Sequence, residues 1–183
     1  MNAFPTRIYL TGFMGSGKST IGPLLAARLG YSFLDLDALI EARVGKPVSS
    51  LFAEDGEVAF RALEAALLRE TTRQEHVVVA LGGGALTFEE NLSLARASGG
   101  VVYLRVSPMQ LARRLATGSE GRPLLKGADG QRLSGVSLQA KIEAMLVRRE
   151  AFYRRAHVTV EATWLGVETT VEAVVQALEA GYR

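Results

Sequence analysis

Residues 12–19 read Gly-Phe-Met-Gly-Ser-Gly-Lys-Ser, which satisfies G-x-x-x-x-G-K-[ST] at every fixed position. The glycines let the backbone curl so that successive N–H groups point inward, an anion cradle that side chains would obstruct. Lys18 is spaced to reach the outer phosphates of a nucleoside triphosphate, and the Ser19 hydroxyl to coordinate a phosphate-bound Mg²⁺. Gly15, Ser16, Gly17, Lys18, Ser19 and Thr20 are thus the nucleotide-binding candidates. The motif carries weight only between a strand and a helix. Residues 7–11 are β-prone, and residues 20–29 space their apolar side chains as a helix does. The helix dipole would add to the anion site.

Phosphoryl transfer also needs phosphate clamps, an in-line hydroxyl and a carboxylate to position it. Asp35 and Asp37 flank Leu36 at the carboxyl end of a second strand-like run. A strand's period of two would turn both to one side, one to hold Mg²⁺ through water, the other to orient an acceptor hydroxyl. The alternative is a pair of solvated acids opening a helix, one of them an N-cap. Gly82, Gly83 and Gly84 follow an apolar run and allow a ligand or backbone to approach closely. Glu57, Arg61 and Glu64 share one helical face. That spacing fits a surface ion-pair network, or a guanidinium held by Glu64 and aimed at a carboxylate. Arg122 heads Arg122-Pro-Leu-Leu125 in a glycine-rich segment, where an arginine could neutralise charge on a transferred phosphoryl. Arg148 and Arg149 lie near a helix end, where solvation or the helix dipole accounts for them. Nothing marks His76 or His157 as catalytic.

The elements that must position these residues alternate. Strand patterns at 31–36, 76–81, 100–106 and 157–161 join the first strand, and helical patterns lie at 38–44, 56–73, 88–97, 108–116, 136–155 and 167–180. Gly45-Lys-Pro47 breaks the chain, and Ser49 or Ser50 is placed to cap a further helical turn. In 56–73 the apolar side is expected to carry Val58, Leu63, Ala66 and Leu67. Ser107-Pro108 is a helix start. The alternation implies an α/β fold, a mainly five-stranded parallel sheet with helices on both faces, in one domain of 183 residues. Residues 117–135, with five glycines and little periodicity, are expected to form a lid.

Composition narrows the partners. The chain has no cysteine, which removes disulfides, zinc–thiolate sites and thiol nucleophiles. With no secretory pattern and no long apolar run, a cytoplasmic protein without a membrane span is expected. Residues 105–155 hold eleven Lys/Arg against four Asp/Glu, a local +7 that leaves −5 elsewhere. Such local basic character, with few aromatics interleaved, points to a small anionic ligand and away from nucleic acid. No apolar interface stripe is visible, so a monomer is the expectation.

The ordered set of motifs resembles the shikimate kinase family over nearly the whole chain. It runs from Gly12 to Thr20 through Leu34-Asp-Leu-Asp37, Phe52-Ala-Glu-Asp-Gly-Glu57, Phe60-Arg61, Glu64, Gly82-Gly-Gly-Ala85 and Arg122-Pro-Leu-Leu125 to Arg149, Tyr153 and Arg154. The resemblance implies a P-loop three-layer α/β/α fold and Mg²⁺- and ATP-dependent phosphorylation of the 3-hydroxyl of shikimate. By the same resemblance Asp37 would hold the acceptor and act as base, with Lys18 and Arg122 stabilising the transferred group and Ser19 and Asp35 organising Mg²⁺. Arg61 and Arg149 would clamp the shikimate carboxylate together with Gly82, Gly83 and Gly84. Phe52 and Phe60 would wall the acceptor pocket, within a substrate-binding helical region at 38–73. Arg114 matches an arginine that stacks near the adenine. The likeness thins at 162–167, Ala-Thr-Trp-Leu-Gly-Val, where family members often carry Arg and Pro beside the base. Trp164 is expected to pack on the last helix rather than on the base. Gluconate kinases, with another hydroxylated carboxylate as acceptor, are the nearest rival.

Overall fold

A computed structural model of the protein describes residues 4–118, 123–127 and 130–182. Five strands, β1 (Arg7–Thr11), β2 (Ser32–Asp35), β3 (Val77–Ala80), β4 (Gly100–Arg105) and β5 (Val158–Glu161), form one sheet in the order 2-3-1-4-5. Every pairing is parallel, with Ile8 beside Val78 and Leu10 beside Val102. Parallel strands need crossovers, and helices supply them. They are α1 (Lys18–Leu29), α2 (Leu36–Val44), α3 (Val48–Glu54), α4 (Gly56–Thr71), α5 (Glu89–Ser98), α6 (Pro108–Gly118), α7 (Gly135–Tyr153) and α8 (Val167–Gly181).

The apolar strand runs bury both faces, as a sheet covered on two sides requires. Ile8, Leu10, Val78, Val102 and Leu104 turn to a cluster with residues of α1 and α8. Tyr9, Val77, Val79 and Val101 turn the other way, to residues of α2, α3, α4 and α5. A third cluster joins Tyr103 and Phe13 to α6 and α7. The expected α/β/α layering is present.

Several local expectations are corrected. α2 starts at Leu36, so Asp37 lies in a helical first turn and shares no strand face with Asp35. The carboxylate of Asp35 caps that helix and ends the strand early. Ser49 and Ser50 lie inside α3, whose first position follows Pro47, and cap nothing. In α4 the buried stripe is Phe60, Glu64, Leu67, Leu68 and Thr71, with Leu63 half-buried; Val58 is 85% exposed and Ala66 is exposed. Within the segment expected as a lid, the described residues include two helix ends and a turn. Thr117 and Gly118 end α6, Gly135 opens α7, and residues 123–125 form a 3-10 turn with Leu125 buried. Lys126 pairs with Arg132, and the Arg132 guanidinium donates to the carbonyls of Leu115 and Ala116 at 2.8 and 2.7 Å. Arg122 lies outside the described residues.

Candidate active site

In an open parallel sheet ligands collect beyond the carboxyl ends of the strands. Here the ends of β1, β2, β3 and β5 lead directly into residues of two adjoining clefts. The first, about 450 Å³, is lined by Gly15, Ser16, Gly17, Lys18, Ser19, Thr20 and Arg114, with Ala162, Leu165 and Val167 at its far end. The second, about 560 Å³, is lined by Asp37, Arg61, Gly82, Gly83, Gly84, Arg149, Phe52 and Phe60. Met14, Ser19, Asp35, Asp37, Gly82 and Gly83 line both. Between them the two clefts gather every described candidate residue.

The loop after β1 is built for an anion. Gly17 is the N-cap of α1 with φ 105°, a left-handed geometry that disfavours side chains, and no side chain caps the helix. The first amides of α1 therefore lack a side-chain acceptor at the helix's positive end. Lys18 is 8% exposed, and its ammonium donates to the carbonyls of Gly12 at 2.8 Å and Phe13 at 3.1 Å. Ser19 Oγ donates to Asp35 Oδ2 at 2.6 Å. Asp35 Oδ1 meanwhile accepts from the amides of Asp37 and Ala38 at 3.0 and 3.3 Å. Asp35 is thus the N-cap of the alternative reading, and it is also the partner of Ser19. Asp37 opens onto the junction of the clefts and is reached by solvent there. The crowded walls still desolvate it, and with Asp35 nearby its pKa rises above the ordinary range despite Lys18.

The glycine triplet leaves room for the side chains around it. A Cβ on Gly82 would stand 2.6 Å from Glu64 Oε1 and 3.0 Å from Asp37 Oδ1. One on Gly84 would lie 2.5–2.9 Å from the guanidinium atoms of Arg61. The Gly83 carbonyl accepts from Arg149 at 3.2 Å and from the buried hydroxyl of Tyr153. Five side chains from three helices, α2, α4 and α7, crowd these glycines.

Arg61 is held at both edges. Its Nη1 donates to Glu64 at 2.7 Å, and its Nε and Nη2 donate to Glu57 at 3.3 and 3.2 Å. Phe60 lies beside it, with the Phe60 and Phe52 rings 4.6 Å apart. Glu64 is fully buried, and its Oε1 has no hydrogen-bond partner among the described residues. Burial outweighs Arg61 and pushes the Glu64 pKa up to about 7. The stability consequence has a definite sign. A folded pKa raised above the unfolded value contributes stability fully below the ordinary glutamate range, lost as the pH rises through the folded pKa of about 7. We expect the wild-type melting temperature to fall between about pH 5 and 8, and Glu64→Gln, which cannot ionise, to flatten that slope. Calorimetry across the window decides it; parallel slopes would remove Glu64 as the source.

Arg114, matched by resemblance to an arginine near the adenine, lines the first cleft. Its guanidinium donates to the carbonyls of Gly15, Ser16 and Ala162 at 3.3, 3.4 and 3.3 Å. It clips the phosphate loop to the segment after β5. Trp164 is 70% exposed and outside the first cleft's lining, so it is not packed away on α8 as expected. Three residues with rings or tails at the site lacked any sequence signal: Phe13 under Arg149, Phe88 beside Arg61, and Met14 between the clefts. The first and last occupy variable positions of the loop motif, and Phe88 only opened a helical pattern.

A family model described as "Shikimate kinase" matches residues 14–179. A shikimate kinase of Prosthecochloris aestuarii is 49% identical over 96% of this chain and 88% of its own. The crystal structure of the Bacteroides thetaiotaomicron shikimate kinase superposes with a TM-score of 0.84 at 38% identity, covering 96% of this chain and 99% of that one. The Acinetobacter baumannii shikimate kinase in complex with shikimate gives 0.87 at 34% identity, covering 97% and 94%.

Proposed function

The chain belongs to the shikimate kinase family, and from that premise we infer that it transfers the γ-phosphoryl of ATP to the 3-hydroxyl of shikimate, releasing ADP and shikimate 3-phosphate. One observation carries the reading. A phosphate-loop cleft and a cleft bearing two arginines open into each other at Ser19, Asp35, Asp37, Gly82 and Gly83. That junction is where a donor phosphorus and an acceptor hydroxyl would meet in line.

The residue roles follow from position. ATP lies along the loop with its β- and γ-phosphates at the start of α1. Lys18 turns from the carbonyls of Gly12 and Phe13 to the outer phosphates, its charge placed for the transferring group. Arg122 is assigned to that same charge by its motif. Arg61 and Arg149 hold the shikimate carboxylate, and Phe52 and Phe60 face the apolar side of its ring. Asp37 accepts the proton of the attacking hydroxyl as its oxygen bonds to phosphorus and the bond to ADP breaks. Its raised pKa makes it a better base than an ordinary aspartate. The orphaned Oε1 of Glu64 gives a hydroxylated ligand, or a water beside it, a polar partner.

Mg²⁺ fits the donor set. Such an ion is commonly carried by phosphates and one or two protein oxygens, and Ser19 Oγ with Asp35 Oδ2 at 2.6 Å offers that pair on the wall common to both clefts. When bound it would screen the phosphate charge. No described helix is long and apolar enough to cross a membrane. We further propose that the chain acts as one kinase domain, a monomer working in the cytoplasm on small molecules, with residues 38–73 forming its acceptor wall.

The deciding assay is ADP formation from Mg·ATP with shikimate, with gluconate and with no acceptor. ADP formed with shikimate alone is the expected result. Turnover with gluconate would keep the kinase and move the acceptor assignment, and ATP binding without turnover on either would overturn the catalytic reading.

A further inference from the structure

Both arginines assigned to the acceptor carboxylate rest against aromatic rings. Arg149 Cζ stands 5.6 Å from the centroid of Phe13. Arg61 Cζ stands 5.0 Å from that of Phe60 and 5.7 Å from that of Phe88. Phe13 and Phe60 are core residues at 1% and 4% exposure, and packing alone would keep them. Phe88 is different. It is 46% exposed and belongs to none of the core clusters of the described residues.

Its place in the chain makes phenylalanine a poor local choice. Phe88 is the N-cap of α5, extended at φ −106° and ψ 128°, and no side chain caps that helix. Ser, Thr, Asp or Asn there would satisfy a free amide. The position therefore forgoes a cap and leaves a large apolar ring half in water. Residues that break local rules in this way tend to mark functional sites. The gain that offsets it is the ring's approach to Arg61.

The two edges of the Arg61 fork are fixed by Glu57 and Glu64. Edge contacts leave the plane free to tilt, and a planar fork binds a carboxylate well only when its plane is set. Rings near the guanidinium supply that restraint through cation–π attraction, Phe60 as part of the core and Phe88 as a second, half-exposed ring. We propose that Phe88 is a positioning residue for shikimate binding, its ring fixing the plane in which Arg61 presents its guanidinium to the substrate carboxylate. The proposal rests on the assignment of Arg61 to that carboxylate.

The test is steady-state kinetics of Phe88→Ala, Phe88→Leu and Phe88→Tyr, alone and in an Arg61→Ala background. Phe88→Ala should raise the shikimate KM about two- to fivefold, with kcat and the ATP KM unchanged. Phe88→Leu keeps apolar bulk without a π face and should match Phe88→Ala. Phe88→Tyr should restore the wild-type KM. In the Arg61→Ala background the Phe88 substitutions should do nothing more. A Leu variant with wild-type KM would overturn the proposal in favour of plain packing. So would a Phe88→Ala effect that persists without Arg61, or one that falls on kcat. Should Arg61→Ala alone leave the shikimate KM unchanged, the carboxylate assignment itself fails and takes Phe88 with it. A raised KM in Arg61→Ala beside an unaltered Phe88→Ala removes Phe88 alone.

Discussion

Asp37→Asn will bind ATP as the parent does and turn over about 10²- to 10⁴-fold more slowly, the range for losing a positioned general base. The substitution keeps shape and removes the ability to take a proton. Asp37 stands where the two clefts join, within reach of Gly82 on one side and under the field of Lys18 on the other. Folding should not suffer. The carboxylate is disfavoured by its surroundings in the ionised form, so a neutral amide removes a cost instead of adding one. Two measurements settle it together: kcat under saturating shikimate, and ATP affinity by calorimetry. Unchanged kcat would take the proton away from Asp37. Lost ATP affinity would recast it as a phosphate-site residue.

Lys18→Met should cost about 10²- to 10³-fold in kcat, the scale of removing one donor aimed at developing charge. The methionine has similar length, so the loss is of charge and hydrogen bonds. The ammonium sits at the mouth of the loop with the carbonyls of Gly12 and Phe13 as partners. If charge building in the transition state is its business, kcat must fall further than the affinity for ATP. Equal losses in both would reduce Lys18 to uniform binding of the triphosphate.

The order of elements was readable because each strand run is short, apolar and followed by an amphipathic stretch. Val77, Val78, Val79 and Ala80 can sit only in a sheet covered twice. The glycines at 82–84 announced a close approach, and the side chains of Asp37, Arg61, Glu64 and Arg149 make it. Two aspartates were harder. A period of two would have aligned Asp35 with Asp37, yet the carboxylate of Asp35 captures two amides and starts a helix at the next residue. Local capping overrode strand alternation, and the pair still serves one junction. Val58 and Ala66 defeated the helical pattern because the chain that covers α4 lies over Phe60 and Glu64, and only tertiary packing knows that. A buried glutamate on that stripe is no apolar signal at all. Trp164 was read by its size, and its exposure shows that a large ring need not find a core.

Arg114 grips the segment after β5 by the carbonyl of Ala162, and β4 holds it through another main-chain bond, from the Ala162 amide to the carbonyl of Arg105 at 2.7 Å. Main-chain groups are the same whatever side chain they carry. Substitution along this stretch can therefore proceed without loosening the attachment, and mutational drift is cheapest there. Residues 162–167 carry no Arg or Pro, and Arg114 still ties the segment to the phosphate loop. The tie asks for the Arg114 guanidinium but for no particular side chain at Ala162.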